Sequence, residues 1–234
     1  MTDSSCPQVR ITNSLGDPSD PQGLQRVEVG DLSLWVETPP DLDALLDRAA
    51  EENPQAVDSI PYYAILWPSA LGLARYLWQI REEWKGVGRI AELGCGLGLP
   101  SVLVAKSGVP VLATDFHQDA GPWLTHNAAI NQTEVPYRSL DWEMILADPA
   151  TAAPFRSDWV IGSDLLYEKR HIPALICSIN RICTGRTAIF ADPGRAALDL
   201  FVMGMEESGW KFTLIPVGDI YVCRFDRMEN LGGR

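Results

Sequence analysis

The chain has 234 residues, 46% of them hydrophobic, with a formal net charge of −12 and a pI near 4.6. That is enough chain for one large domain with a full core, and too apolar a chain for a disordered protein. The negative charge repels a nucleic-acid backbone and favours basic partners, although it also serves plain solubility. Five cysteines without a C-x-x-C pair suggest neither a disulfide framework nor a zinc site, so no metal is expected. No apolar run approaches membrane-spanning length and no basic start precedes one, which predicts a cytoplasmic protein without a membrane partner.

Residues 1–23 are rich in Ser, Asp, Pro and Gly and read as a loose tail, with residues 9–11 pinned down. A single domain spans 24–234, with an N-terminal strand and helix extension over 24–85 and a core over 86–234. Arg26 to Gly30 and Leu32 to Glu37 read as two short strands joined at Gly30-Asp31. Asp41 caps a helix to about Glu52, with Leu42, Leu45, Leu46 and Ala49 on one face and Asn53-Pro54 as its stop. These elements precede a glycine-rich unit and are expected to form a lid over its ligand. Trp67-Pro68-Ser69 opens another helix, since proline suits a first turn and Ser69 can cap.

Arg89 to Asp115 organises the rest. An apolar run through Ile90, Ala91, Glu92 and Leu93 reads as a buried strand. Gly94, Gly96 and Gly98 follow at alternate positions, then an amphipathic helix to Gly108 and a second strand ending in Asp115. Glycine lets a backbone approach a ligand closely, because it lacks Cβ and tolerates positive φ. The dinucleotide fingerprint G-x-G-x-x-G seats a pyrophosphate. Here the pattern is E-x-G-x-G-x-G, and a carboxylate at the loop entrance suits a cation instead. S-adenosylmethionine (SAM) carries an ammonium and a sulfonium, and Asp115 is placed to accept from both ribose hydroxyls. Cys95 lies inside the loop, where a small apolar side chain suffices.

A helix over 119–131 and a strand over 136–140 come next, ending in Asp141-Trp142-Glu143. An acid and an aromatic there would suit adenine, the carboxylate accepting from the exocyclic amine and the ring covering its face. A surface turn with Trp142 packed on a helix would use the same residues. Strands over 155–163 and 187–191 alternate with helices over 168–183 and 196–208, and an antiparallel pair around Gly218-Asp219 closes the edge. The fold class is α/β: a Rossmann-like doubly wound seven-stranded sheet with an antiparallel last strand, its ligand sites at the strand C-termini. After Ser163 the fourth core strand ends in D-L-L-Y, Asp164 to Tyr167. These two side chains can orient an acceptor nitrogen in a methyl transfer. The bland alternative, which can hold alongside the first, has Asp164 capping the following helix with Tyr167 packed under it.

The glycine stretch resembles motif I and the following acidic motif of the seven-stranded SAM-dependent methyltransferases. W-P-S-A at Trp67 and D-L-L-Y at Asp164 are similar to segments of the protein-lysine methyltransferases that carry a D-x-x-Y motif. D-P-G-R at Asp192 looks like that of the electron-transfer-flavoprotein β-subunit lysine methyltransferases and the nicotinamide N-methylase-like group. The resemblance covers about Ile60 to Arg195. It implies SAM as cofactor, with Trp67, Glu92, Gly94, Cys95, Gly96, Gly98, Asp115, Asp141, Trp142 and Ser163 around it. It also implies Asp164 and Tyr167 at the acceptor, and a protein substrate with an accessible lysine, methylated by a monomer or weak dimer. A small-molecule amine and a non-catalytic SAM-binding scaffold stay open as alternatives. No nucleic-acid partner is expected, since no basic patch with interleaved aromatics occurs.

Overall fold

In the computed structural model, the described residues are 11–13, 23–52 and 60–227. The N-terminal part forms an antiparallel ribbon of β1 (Ile11–Asn13), β2 (Leu24–Val29) and β3 (Leu32–Glu37), followed by helix α1 (Leu42–Glu52). Within the expected tail, therefore, Ile11–Asn13 pair with β2; the other residues of 1–22, and Asn53-Pro54, lie outside the described residues. Asp41 Oδ1 accepts from the Ala44 N–H at 2.9 Å, as a cap should.

Helix α2 (Pro68–Gln79) and the short α3 (Arg81–Trp84) lead into the main sheet. Its strands are β4 (Ile90–Leu93), β5 (Val111–Asp115), β6 (Tyr137–Ser139), β7 (Ser157–Ser163), β8 (Cys183–Asp192), β9 (Trp210–Val217) and β10 (Ile220–Arg227). The helices between them are α4 (Leu99–Lys106), α5 (Ala120–Ile130), α6 (Trp142–Ala147), α7 (Ile172–Ile182) and α8 (Leu198–Glu207). The strand order is β6-β5-β4-β7-β8-β10-β9; β10 runs antiparallel to both neighbours, and the first five strands are parallel. This is the expected α/β class with a reversed last strand.

Alternation along the buried strands divides the core between two faces. Ile90 and Ile161 join Leu73, Leu103, Leu124 and the ribbon residues Val27 and Leu34 on one face. Ala91 and Val160 join Ile145, Leu175, Ile179 and Phe201 on the other. The chain leaves β4 toward β5 and later returns to β7 on its other side. That reversal opens a crevice beyond the strand C-termini.

Several elements depart from the sequence pattern. Asp141-Trp142-Glu143 begins α6 rather than ending a strand. Residues 149–155 form a 3-10 turn bracketed by Pro149 and Pro154, so β7 starts only at Ser157. A 3-10 turn at Lys169–His171 precedes α7, whose start is set by Pro173 in its first turn. Strand β8 is longer than the apolar core of its sequence, because its polar first half still pairs with β7. The ribbon β2–β3 docks on α5. Asn131 Oδ1 accepts from the Trp35 N–H and its amide donates to the Trp35 carbonyl; one turn earlier Asn127 does the same for Glu37. Of the elements expected as a lid, neither the ribbon nor α1 lines the crevice; residues 60–70, which follow them, supply that wall.

Candidate active site

The crevice encloses a cleft of about 320 Å³ at the C-terminal ends of β4, β5 and β7. Its floor is the turn between β4 and α4. Gly94, Gly96 and Gly98 all have positive φ, at 60°, 49° and 80°. A Cβ on Gly98 would lie 1.9 Å from Leu124 Cδ1, and one on Gly94 would lie 2.3 Å from Leu165 Cδ2. Both the backbone conformation and the packing behind the loop thus require glycine. Cys95 also lines the floor, and burial pushes its thiol well above the ordinary range, which makes it an inert filler.

Asp115 ends β5 beside this turn. Its Oδ2 accepts from the Gly96 N–H and its Oδ1 from the His117 N–H, both at 2.9 Å. Burial pushes its carboxyl up, and the N–H groups of His117 and Gly96 work against that shift. Asp115 faces the cleft while holding the loop. Leu140, Asp141 and Trp142 form the adjoining wall. Asp141 Oδ1 accepts from the Glu143 N–H at 2.9 Å and so caps α6, a local task the sequence pattern had not indicated.

Glu92 is the main correction. It is fully buried behind the glycine turn and does not line the cleft. Its Oε2 accepts from both the N–H and the hydroxyl of Ser101, pinning the first turn of α4, and its Oε1 has no hydrogen-bond partner among the described residues. Burial pushes its carboxyl up to about 8, against the opposing pull of Ser101. An alternating strand points successive side chains to opposite faces, and Glu92 points under the loop rather than out of it.

Beside the glycine turn, Ser163 ends β7 and Asp164 follows it. Asp164 is 8% exposed and adopts φ of 60°, which is uncommon for a residue other than glycine. Its Oδ2 accepts from the Ser69 N–H at 3.1 Å, and its Oδ1 meets Arg195 Nη2 at 2.7 Å. Ser69 therefore does not cap α2; Trp67 occupies that position, and the helix N-terminus faces the Asp164 carboxylate instead. Arg195 Nη1 meets Asp192 Oδ2 at 2.8 Å, and Asp192 Oδ1 accepts from the N–H groups of Gly194 and Arg195. Burial disfavours the Arg195 charge, but the hydrogen bonds to Asp192 and Asp164 outweigh it and raise its pKa.

Aromatic rings form the mouth. Tyr167 is 44% exposed and packs its ring 5.2 Å from that of Tyr62, which lies 6.1 Å from Trp67. The Trp67 Nε1–H donates to the Tyr62 carbonyl at 2.9 Å. The structure thus brings every proposed site residue except Glu92 to one cleft. It adds Tyr62, Phe116, His117, Glu143, His171 and Arg195. Of these, Arg195 was visible as the end of D-P-G-R, and Phe116 and His117 follow the acid Asp115. Tyr62 sat unremarked in an apolar run. Among the described residues no group of His, Cys, Asp and Glu could hold a metal, and no helix is long and apolar enough to cross a membrane.

The family model described as lysine methyltransferase matches residues 51–195, which is more than half of the chain. The chain belongs to the lysine methyltransferase family. Among curated relatives, the chain is 30% identical over 128 residues to the histone-arginine methyltransferase METTL23 of Rattus norvegicus, covering 51% of this chain and 53% of that one. It is 26% identical over 133 residues to the protein-lysine methyltransferase METTL21E of Bos taurus, covering 55% and 46%. It thus spans about half the length of these relatives. Its fold is similar to that of magnesium protoporphyrin IX methyltransferase from Synechocystis PCC 6803, crystallised with bound SAM. The TM-score is 0.54 at 14% identity, over 80% of this chain and 97% of that one.

Proposed function

We propose that this chain is a SAM-dependent N-methyltransferase that methylates lysine ε-amines of a protein. The observation that carries the reading is a fixed carboxylate, Asp164, in one cleft with the rings of Tyr62, Trp67 and Tyr167 and with a glycine turn flanked by Asp115. The residues present fit SAM. Asp115 offers a carboxylate to vicinal hydroxyls, Asp141 and Trp142 offer an acceptor and a ring face to a purine, and the left-handed glycine turn leaves its backbone open to the cleft. When bound, SAM supplies an electrophilic methyl group on a sulfonium.

The chain's own part is to seat and orient the acceptor. A lysine amine arrives as an ammonium, with an unperturbed pKa of about 10.4. Tyr62, Trp67 and Tyr167 line its approach with ring faces that attract a cation. Asp164 draws the nitrogen to the end of β7. Both of its oxygens already accept hydrogen bonds, so it serves as a fixed orienting charge, and the proton of the ammonium leaves to water at the open mouth. The D-P-G-R turn makes the electron-transfer-flavoprotein β-subunit the first candidate substrate. The free thiols of Cys95, Cys177, Cys183 and Cys223 suit a reducing cytoplasm.

A second reading, arginine as acceptor, is favoured by the relatives named histone-arginine methyltransferases. One experiment tests both. Labelled SAM is offered with a panel of proteins and small amines, and the products are identified by mass spectrometry. Methyl-lysine in a protein supports the first reading and methyl-arginine the second. Label only in a small amine, or in nothing, overturns both.

A further inference from the structure

We infer that Arg195 is a positioning residue that acts through Asp164, with buried Asp192 as its anchor, and that this linked trio sets the acceptor end of the cleft for a single positive charge. The inference rests on the acceptor reading of Asp164 given above. A left-handed φ is uncommon outside glycine, although Asp and Asn tolerate it best, and at Asp164 side-chain contacts hold it in place. Two contacts do so, the Ser69 N–H at Oδ2 and the Arg195 guanidinium at Oδ1. The guanidinium is itself fixed at both its ends. Asp192, 1% exposed, takes the Arg195 backbone N–H on Oδ1 at 2.7 Å and the Arg195 Nη1 on Oδ2 at 2.8 Å.

The turn that carries Arg195 is rigid as well. Gly194 has φ of 91°, and a Cβ there would meet the Tyr221 ring at 2.9 Å. Tyr221 is in turn paired with Asp192 across β10 and β8. Arg195 is thus a strut between two strand ends, β8 and β7. A planar guanidinium can bridge two carboxylates in this way, whereas a lysine ammonium is a compact point charge that satisfies one. Within the trio, two carboxylates and one guanidinium leave one net negative charge, which matches one incoming ammonium. Asp192 does not line the cleft and Asp164 does, so Asp164 is the carboxylate of the trio that faces the acceptor.

The test compares Arg195→Met, Arg195→Lys and Asp192→Asn with the wild type, each measured for SAM affinity by calorimetry, melting temperature, and kcat and KM separately. Arg195→Met is expected to lower kcat by about 10²-fold, the scale of a misplaced orienting group, with SAM affinity unchanged. Arg195→Lys should recover part of the loss. Asp192→Asn should reproduce a kcat-selective loss although it lies outside the cleft, and it stands in if Arg195→Met fails to fold. A wild-type kcat in Arg195→Met, or a loss in every variant that merely follows the folded fraction, would overturn the inference. A wild type that transfers no methyl group to any amine would sink the acceptor reading instead. The strut is then judged by the Asp164 γ-carboxyl carbon resonance, assigned by its disappearance in Asp164→Asn. It should move in Arg195→Met, and an unmoved resonance counts against Arg195.

Discussion

Buried without a counter-charge, Glu92 keeps its proton up to a pH of about 8, against 4.5 for an ordinary glutamate. Between those values the folded state binds more protons than the unfolded one. The contribution of Glu92 to stability therefore falls as pH rises from about 4.5 to about 8, and then levels. Glu92→Gln keeps an acceptor for Ser101 and removes the titration. Its unfolding free energy relative to wild type should climb across that window, by an amount of the order of a few kcal/mol. Urea unfolding at several pH values checks this, and a pH-independent difference would remove the buried-acid account. Asp115 makes a contrasting case, since it faces the cleft. Asp115→Ala should weaken SAM by about 1.5–3 kcal/mol for each charged hydrogen bond lost. Calorimetry after chelator treatment reads this, and the wild type should bind equally well with or without the chelator. At Asp164 the informative variant is asparagine, because it tolerates positive φ while alanine adds backbone strain. Asp164→Asn should retain SAM and lose about 10²-fold in turnover, the scale of a lost orienting group. Wild-type turnover in a folded, SAM-binding variant would take Asp164 out of the acceptor site.

Helix α5 joins the extension to the core through two side chains one turn apart, Asn127 and Asn131, which mimic a neighbouring strand for the edge of β3. Removing either leaves peptide groups of Trp35 or Glu37 unpaired against a helix. Asn131→Ala is expected to cost about 1–3 kcal/mol in denaturant unfolding, with SAM affinity unchanged because the ribbon contributes nothing to the cleft. A variant as stable as wild type would show that the ribbon docks by apolar packing alone. The alternation of strands and helices was legible in the sequence, since buried parallel strands read as short apolar runs and glycines punctuate them. Asp115, Asp164 and the glycine turn were legible too, because strand ends in this kind of sheet face the crevice. What escaped were facts of three-dimensional direction. Glu92 sits in the same motif as the cleft residues, but its side chain points beneath the loop. The six residues of α6 were too few for a periodic signal, so Asp141 was not seen as its cap. Arg195 acquires its contacts only when β7 and β8 lie side by side, and no spacing along the chain announces that pairing.

At the scale of the whole molecule, a net charge of −12 surrounds a cleft whose rim carries Asp141 and Glu143. Such a field speeds the approach of a basic partner and has little effect on a step that occurs after docking. Salt screens it over about 10 Å at 0.1 M ionic strength. For a lysine-rich protein acceptor, kcat/KM should therefore fall several-fold between low and moderate salt while kcat stays constant, because steering acts on association. A small monoamine carries one charge and gathers far less steering, so its kcat/KM should change little over the same range. Parallel salt titrations with a protein acceptor and with a small amine separate the two substrate classes by slope rather than by absolute rate. A flat response for the protein acceptor would mean that the acidic surface serves solubility and that the aromatic mouth alone selects the substrate.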